Sequence, residues 1–492
     1  MNVLVTGATG YIGSRLLPEL LARGHGVRCL AREPRKLVAQ GPTGVEVVEG
    51  DLLAPGTLPA ALHGVEAAYY LIHSMGSGGA SFAEKDRAAA RNFAQAAAAA
   101  GVSRIVYLGG LGDGEGLSEH LKSRQETGEI LRQGSVPVTE LRAAIIVGSG
   151  SASFEIIRDL ARKLPFMICP RWVSSRCEPI FVGDVLAYLT GVLDEPGTAG
   201  RTFEIGGGDV HTYADLMRIC AEVMGRRVRI LTVPFLTPRL SAYWLNLVTA
   251  VPMSIAYPLV EGLRNDVVCR DRSIRDRIPL PLVPYREAVA RSLERERQAA
   301  LPSRWTGAST DAAAEPWAER APLLSDARVV ATPLSSDEVF DRVRRLGGTT
   351  GWYYANALWA LRGALDRMVG GVGMRRGRRH PSELRVGDAV DFWRVERLEE
   401  GQLLRLRAEM KLPGQARLTF AVAPRPEGGS VLTQTAEFHP EGIQGRAYWF
   451  ALIPFHALIF RGMAERIARP ARLSERGPLS SGPRKRDPLS RT

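Results

Sequence analysis

Three glycines recur at every third position near the start of the chain, in the stretch GATGYIG. Glycine adopts backbone angles that other residues avoid, and it lets a ligand approach the main chain closely. Where such a turn leads into a helix, the free N–H groups of the first helical turn favour a pyrophosphate. The stretch therefore predicts a phosphate-binding turn. Its predicted contact residues are Gly7, Thr9, Gly10, Tyr11, Ile12 and Gly13.

The flanks of this turn support the same interpretation. Residues 2–6 form a short apolar run typical of a strand, and the apolar residues after Gly10 fall on one helical face. The glycines therefore lie between a strand and a helix, which is the arrangement that a dinucleotide-binding α/β unit requires.

The ends of the next two strands indicate which dinucleotide is bound. Arg32 follows the second strand, where an NAD-specific fold usually carries an acidic residue. A guanidinium group suits a ribose 2′-phosphate, so the pattern favours NADP, and the neighbouring Glu33 keeps NAD as the alternative. Asp51 and Leu52 follow the third strand, and the carboxylate of Asp51 is suited to accept a hydrogen bond from an adenine amino group.

Several segments together resemble one known family. VTGATGYIG, the strand ending at Arg32, EGDL, AAYYLIHSM and RIVYLGGLGD are similar to the atypical branch of the extended short-chain dehydrogenase/reductase family. The resemblance covers about residues 1–300. It implies an α/β doubly wound parallel sheet, the Rossmann fold, with a small C-terminal substrate lobe at about residues 165–300.

The same resemblance points to candidate catalytic positions. Catalytic members of this family use a tyrosine and, four residues later, a lysine; the matching residues here are His120 and Arg124. Gly109 and Gly110 stand where the family usually has a hydroxyl. Histidine exchanges protons near neutral pH, so His120 is the candidate acid–base group, and Arg124 is expected to hold the nicotinamide ribose. His73, at the end of the fourth strand, is a second candidate near the cofactor.

Composition limits the function classes. The 492 residues carry a formal net charge of +12, but basic residues are scattered and not interleaved with aromatic ones, so we expect no nucleic-acid partner. Five cysteines without a CxxC pair predict reduced thiols of a cytoplasmic protein and no metal site. We expect no signal peptide, because the nucleotide turn begins almost at Met1.

One apolar segment leaves its role open. Residues 240–263 are nearly free of charge, and Pro252 and Pro258 interrupt any continuous helix. We expect this segment to belong to the substrate lobe. It would either pack against a neighbouring domain or make peripheral membrane contact, for example as an entry for lipids.

A change in composition divides the chain. Residues 301–322 are rich in Ala, Ser, Thr and Pro and predict a linker, and residues 471–492 predict a disordered tail. Between them, residues 323–470 predict a strand, a helix capped at Ser335 or Ser336, four further strands and a long last helix kinked at Pro454.

This third unit resembles the helix-grip fold of polyketide cyclases and lipid-transfer domains, which is an α+β architecture. Some of its segments also look like an uncharacterised domain that is often fused to such reductases. The last helix is apolar on more than one face, so we expect it to be core or to line a cavity for an apolar ligand. The basic run at residues 375–380 predicts a solvated loop, with anionic headgroups as the alternative partner.

These observations lead to two functional hypotheses. The first is an NADP-binding reductase that transfers hydride between NADPH and a lipophilic carbonyl, enone or quinone-like substrate. The second is a protein that binds the nucleotide without turning it over and acts as a scaffold or redox sensor, similar to the accessory subunit of respiratory complex I. The substituted catalytic positions keep both open.

Overall fold

The structure is a computed structural model. It describes residues 1–34, 37–38, 43–72, 81–112, 117–233, 245, 249, 251, 253–263, 265–298, 324–375 and 377–470. The predicted linker at 301–322 and the predicted tail at 471–492 lie outside the described residues.

A seven-stranded parallel sheet forms the centre of the N-terminal unit, with the order β3-β2-β1-β4-β5-β6-β11. Its members are β1 (Asn2–Thr6), β2 (Gly26–Ala31), β3 (Val45–Glu49), β4 (Ala67–Tyr70), β5 (Arg104–Gly110), β6 (Val138–Ala143) and β11 (Thr202–Ile205). The order reverses between β1 and β4, which is where such a sheet opens a crevice for a ligand. Thr6 joins the two strands there, because its Oγ1 donates to Tyr69 O at 2.9 Å and accepts from Leu71 N at 3.2 Å.

Helices cover both faces of this sheet, so its strands are apolar on both sides. Leu4 and Tyr70 face one core, whereas Val5 and Tyr69 face the other. The fold prediction of a Rossmann-type α/β unit is confirmed. The helices of this part are α1 (Gly13–Ala22), α2 (Leu58–Leu62), α3 (Ser81–Ala99), α4 (Glu119–Arg132), α5 (Ala152–Lys163) and α6 (Val182–Asp194).

A smaller lobe follows, with its own apolar core around Phe154, Leu216 and Val289. Short strand pairs connect its loops: β7 (Ile146–Val147), β8 (Phe166–Pro170), β9 (Arg176–Cys177), β10 (Ile180–Phe181), β12 (His211–Thr212) and β13 (Arg229–Val233). Its helices are α7 (Tyr213–Val223), α8 (Met253–Gly262), α9 (Ser273–Arg277) and α10 (Tyr285–Arg297). All five cysteines are free thiols.

The C-terminal unit is a six-stranded antiparallel sheet with the order β14-β19-β18-β17-β16-β15. The strands are β14 (Leu324–Thr332), β15 (Ala389–Val390), β16 (Trp393–Glu399), β17 (Leu403–Ala408), β18 (Gly414–Pro424) and β19 (Ser430–Pro440). Its helices are α11 (Ser336–Arg344), α12 (Asn356–Met368) and α13 (Gly442–Ala468). The predicted cap is confirmed at Ser335, which forms a capping box with Glu338.

The long helix α13 differs from its sequence prediction. It runs through Pro454, and one stripe that includes Trp449, His456 and Phe460 is buried. Phe450 and Phe455 are exposed outside this stripe, so the expectation that the helix is core or lines a cavity is wrong for these two residues. Among the described residues, α13 is the one helix long and apolar enough to cross a membrane, by length and composition alone.

His456 provides a test of this packing. Burial is the main reason that the pKa of His456 falls from 6.5 to about 4, and Arg362 and Arg328 add to the effect. The imidazole stacks on Phe460 with ring centroids 4.8 Å apart. In the unfolded chain this histidine takes up a proton near pH 6.5, whereas in the folded chain it does so only near pH 4. Its titration therefore does not change the unfolding free energy well above pH 6.5, and it lowers the unfolding free energy as the pH falls from 6.5 towards 4.

We expect His456→Phe to remove that pH dependence, because phenylalanine keeps the ring contact and does not titrate. Between pH 7.5 and pH 5, the wild type should lose about 2 kcal/mol of unfolding free energy more than the variant. Urea unfolding, followed by tryptophan fluorescence at both pH values, measures the unfolding free energies of the wild type and the variant. Equal losses in the two proteins would show that His456 does not carry this effect.

Candidate functional site

A cavity of about 340 Å³ lies beside the carboxyl ends of the central strands. It brings together the glycine turn, the end of β5, the start of α4 and the described part of the segment 240–263. Tyr11, Ile12, His120 and Arg124, which the sequence predicts as site residues, all line it. The predicted cofactor turn and the predicted catalytic positions therefore meet in one place.

The glycine turn has the geometry that its sequence predicts. Gly7 has a φ of +69°, and a Cβ on Gly7 would lie 2.6 Å from Leu71 O. A Cβ on Gly13 would lie 2.2 Å from Gly7 O, so α1 can approach β1 only with glycine there. A Cβ on Gly10 would meet only Gly7 O, at 3.0 Å, within the described residues. The outer side of Gly10 is thus open, as a bound pyrophosphate requires.

Tyr11 is held firmly at the rim of this turn. The guanidinium of Arg15 lies 4.6 Å from the centre of its ring, and Arg15 Nη2 donates to Ser149 O at 2.6 Å. Burial raises the pKa of Tyr11 to about 12. The hydroxyl therefore stays protonated at neutral pH and is no ready substitute for an ionisable catalytic tyrosine.

His120 and Arg124 lie one turn apart on α4, which begins after the capping residue Ser118. Arg124 Nη2 donates to Leu108 O at 2.5 Å and so joins α4 to β5. Arg124 Nε is buried and has no hydrogen-bond partner among the described residues. A buried donor without a partner is costly, so this atom is suited to bind a ligand acceptor such as a ribose hydroxyl.

The structure explains why glycines stand where the family has a hydroxyl. A Cβ on Gly110 would lie 2.7 Å from Leu121 Cδ2 and 3.4 Å from Arg124 Cδ. A Cβ on Gly109 would lie 2.8 Å from Glu140 Oε1. The space of the missing side chains is thus occupied by α4 and by a buried carboxylate.

Glu140 itself is fully buried and paired. Arg142 Nε donates to its Oε1 at 2.8 Å, and Arg132 Nη1 donates to its Oε2. Gly128 also makes room for it, because a Cβ there would lie 2.8 Å from Oε2. This ion-pair cluster fixes α4 against β5 and β6, and with them the position of His120.

Other polar residues of the same helix point elsewhere. Lys122 is exposed, and Ser123 is buried with its Oγ donating to Asp86 Oδ2 at 3.3 Å. Neither lines the cavity, so neither replaces the family's lysine or hydroxyl. His73, the second catalytic candidate, lies outside the described residues.

The remaining predicted cofactor residues lie at the same edge of the sheet. Arg32 directly follows β2 and is exposed. Asp51 follows β3, and its Oδ1 accepts from Leu53 N at 3.0 Å. Leu52 packs its side chain in the core, and its carbonyl accepts from Asn92 Nδ2 at 2.7 Å. Their contacts with a cofactor stay predictions.

The wall opposite the glycine turn is apolar and comes from the lobe. Leu245, Pro258, Leu259, Val260 and Leu263 line it. The described part of the segment 240–263 therefore forms one side of the cavity.

Sequence analysis missed several polar lining residues. Ser151 is the N-cap residue of α5, Ser153 lies in α5 and Tyr213 begins α7, and no motif marks them as site residues. Burial raises the pKa of Tyr213 well above its usual value, so its phenol stays neutral. Only the three-dimensional arrangement brings these groups to the cavity.

Comparisons with known proteins agree with this geometry. A family model described as NAD(P)H-binding matches residues 7–149, and one described as a protein of unknown function, DUF2867, matches residues 317–463. The (4-alkanoyl-5-oxo-2,5-dihydrofuran-3-yl)methyl phosphate reductase of Streptomyces griseus subsp. griseus is 31% identical over 235 residues, which are 46% of this chain and 75% of the relative. The chain belongs to the NAD(P)H-binding family of this reductase. A nicotinamide dinucleotide cofactor, NADP with NAD as the alternative, is thereby confirmed.

Two further proteins are similar to this chain at lower identity. The photosystem II assembly factor Ycf39 of Trieres chinensis is 25% identical over 240 residues, which are 48% of this chain and 72% of the relative. The crystal structure of the Citrobacter sp. triphenylmethane reductase complexed with NADP(H) superposes with a TM-score of 0.50 and 22% identity, and covers 59% of this chain and 100% of that structure. The latter shows the shared fold.

Proposed function

We propose that this protein is an NADPH-dependent reductase of an apolar carbonyl, enone or quinone-like substrate. The observation that carries the proposal is the cavity in which the glycine turn, His120 and Arg124 face an apolar wall. The family relationship to a reductase whose substrate carries an alkanoyl group supports it.

In this proposal each part of the cavity has a separate role in the reaction. NADPH, when bound, supplies a hydride to the electrophilic carbon of the acceptor. The glycine turn and the N-terminus of α1 bind the pyrophosphate, and Arg124 Nε donates to a ribose hydroxyl. His120 gives a proton to the acceptor oxygen, which balances the reduction. The wall formed by Pro258, Leu259 and Val260 excludes water and binds the apolar part of the substrate.

We expect the protein to bind NADPH about 10- to 150-fold more tightly than NADH, because a charged contact between Arg32 and the 2′-phosphate is worth about 1.5–3 kcal/mol. Arg32→Asp should abolish this preference, and Arg227→Asp, at an exposed arginine of the lobe, should not change it. Isothermal titration calorimetry measures the affinities of the wild type and of each variant for NADPH and for NADH. Equal or tighter binding of NADH by the wild type would contradict the assignment of Arg32.

The substitutions at the catalytic positions favour a second candidate function. Gly109 and Gly110 have no hydroxyl, and a Cβ on either would lie within 2.8 Å of a neighbouring side chain. A scaffold or redox sensor would bind NADPH without oxidising it, and a relative is an assembly factor.

An assay of NADPH oxidation with two defined acceptors, a medium-chain 2-enal and a decyl-substituted benzoquinone, separates the two functions. A reductase oxidises NADPH only when an acceptor is present, and the rate saturates with acceptor concentration. Tight NADPH binding with no oxidation by either acceptor would favour the scaffold.

For the C-terminal unit we infer a helix-grip arrangement, supported by the antiparallel sheet and the long helix α13 packed on β14 and β19. In this proposal the unit holds an apolar ligand in a cytoplasmic protein. If a fluorescent fatty acid does not bind the full chain, that result would argue against an apolar ligand in the C-terminal unit.

A further inference from the structure

Two helices of the C-terminal unit leave a broad apolar surface uncovered. Of the eighteen large hydrophobic side chains exposed among the described residues, nine lie on or beside α12 and α13. Soluble monomers rarely expose an apolar patch of that extent without a binding role. We call it the α12/α13 apolar surface, and its principal members are Leu361, Leu365, Met368, Phe450, Phe455 and Leu458.

Specific contacts place the two helices side by side. Arg362 Nη2 donates to Tyr448 Oη at 2.5 Å. The rings of Trp359 and Phe460 are 6.3 Å apart between centroids. The two helices are therefore neighbours, and their exposed apolar residues lie on adjoining elements of this unit.

The surface is suited to lie on a bilayer, not to cross it. In α13, residues 447–460 carry no charged side chain, but Trp449, His456 and Phe460 within this run pack into the core. A helix fixed to the sheet along one face presents only its other face to lipid. That arrangement is typical of an amphipathic helix lying in the plane of the membrane interface.

Basic side chains stand at the border of the apolar run. Arg446 and Arg461 bracket it, and both are exposed. Lys411 is also exposed. Its side chain lies beside Gly370, just after the end of α12, because a Cβ built on Gly370 would be 3.4 Å from Lys411 Nζ. Glu465 pairs with Arg461 at 2.8 Å, and Glu441 is exposed just before α13, so the border also carries acidic groups.

The positive charge of the chain favours an anionic membrane over a second copy of the chain as the partner of this surface. Each chain has a formal net charge of +12, so two copies repel one another, and a contact through this surface would bring Arg446, Arg461 and Lys411 of both copies together. An anionic membrane surface attracts the same groups. We propose that the α12/α13 apolar surface docks on an anionic phospholipid bilayer. This inference concerns the C-terminal unit and does not depend on reductase activity.

Co-sedimentation of the full chain with unilamellar vesicles tests the proposal, without NADPH. We expect binding to vesicles of phosphatidylcholine and phosphatidylglycerol at three to one, and weaker binding to phosphatidylcholine alone or at high salt. Phe450→Ser/Phe455→Ser and, separately, Leu361→Ser/Leu365→Ser should each weaken binding about tenfold or more. The control Phe166→Ser/Val329→Ser changes equally exposed residues elsewhere and should bind as the wild type does.

Three results would overturn the proposal. The first is a wild type that does not sediment with anionic vesicles. The second is undiminished vesicle binding by both double variants. The third is a wild-type dimer in light scattering that both double variants dissociate, without any vesicle binding, since a second copy would then cover the surface. Two variant pairs on different helices keep the test valid if one of them fails to fold.

Discussion

Replacement of His120 by phenylalanine is expected to lower the rate of acceptor-dependent NADPH oxidation by about 100- to 10,000-fold, the usual cost of losing a general acid or base. His120 lines the cavity one helical turn from Arg124, at the position of the family's tyrosine. Phenylalanine keeps an aromatic ring in the cavity but cannot donate a proton. The affinity for NADPH should remain unchanged, because Arg124 and the glycine turn are intact.

Steady-state kinetics and calorimetry separate these effects. His63→Phe serves as the control, since His63 is exposed at the end of α2 and does not line the cavity. A reductase whose rate survives His120→Phe unchanged would contradict the role of His120. It would then point to protonation by water or by His73, which lies outside the described residues.

Gly10→Val is expected to reduce NADPH affinity by about 100-fold or more. The new side chain would occupy the open outer side of the turn and keep the pyrophosphate from the main chain. Loss of two charge-assisted hydrogen bonds, each worth about 1.5–3 kcal/mol, corresponds to at least this factor. Calorimetry with NADPH measures the change.

The matched control for this prediction is Gly56→Val. Gly56 is exposed, and a Cβ there would meet no described atom within 4 Å. A Cβ on Gly10 lies 3.0 Å from Gly7 O, a close contact that requires a small shift of the turn, so the melting temperatures of both variants are measured beside the affinities. NADPH affinity equal to that of the wild type in Gly10→Val would show that the pyrophosphate does not lie against this turn.

The sequence predicts the parts of the site that depend on local structure. The glycine turn follows from residues within one strand–turn–helix unit, and the structure reproduces it, including the positive φ of Gly7. His120 and Arg124 follow from the resemblance to the reductase family, whose catalytic tyrosine and lysine are four residues apart, and the periodicity of a helix keeps residues at that spacing on one face. The cap at Ser335 is a short-range pattern of the same kind.

Features that depend on distant residues could not be predicted. Much of the apolar wall comes from α8, far along the chain, and Pro258 within this helix obscures the helical pattern. The reason for Gly109 is the buried Glu140, which only the sheet brings beside it. The exposure of Phe450 and Phe455 could not be predicted either, since an apolar residue does not reveal whether another element covers it.

A crystal structure of the complex with NADPH tests the central claim most directly. The account predicts the pyrophosphate at Gly10, the ribose within hydrogen-bond distance of Arg124 Nε, and the nicotinamide ring inside the cavity between Ile12 and His120. A nicotinamide ring bound outside this cavity, or a complex in which His120 and the apolar wall are remote from it, would contradict the account.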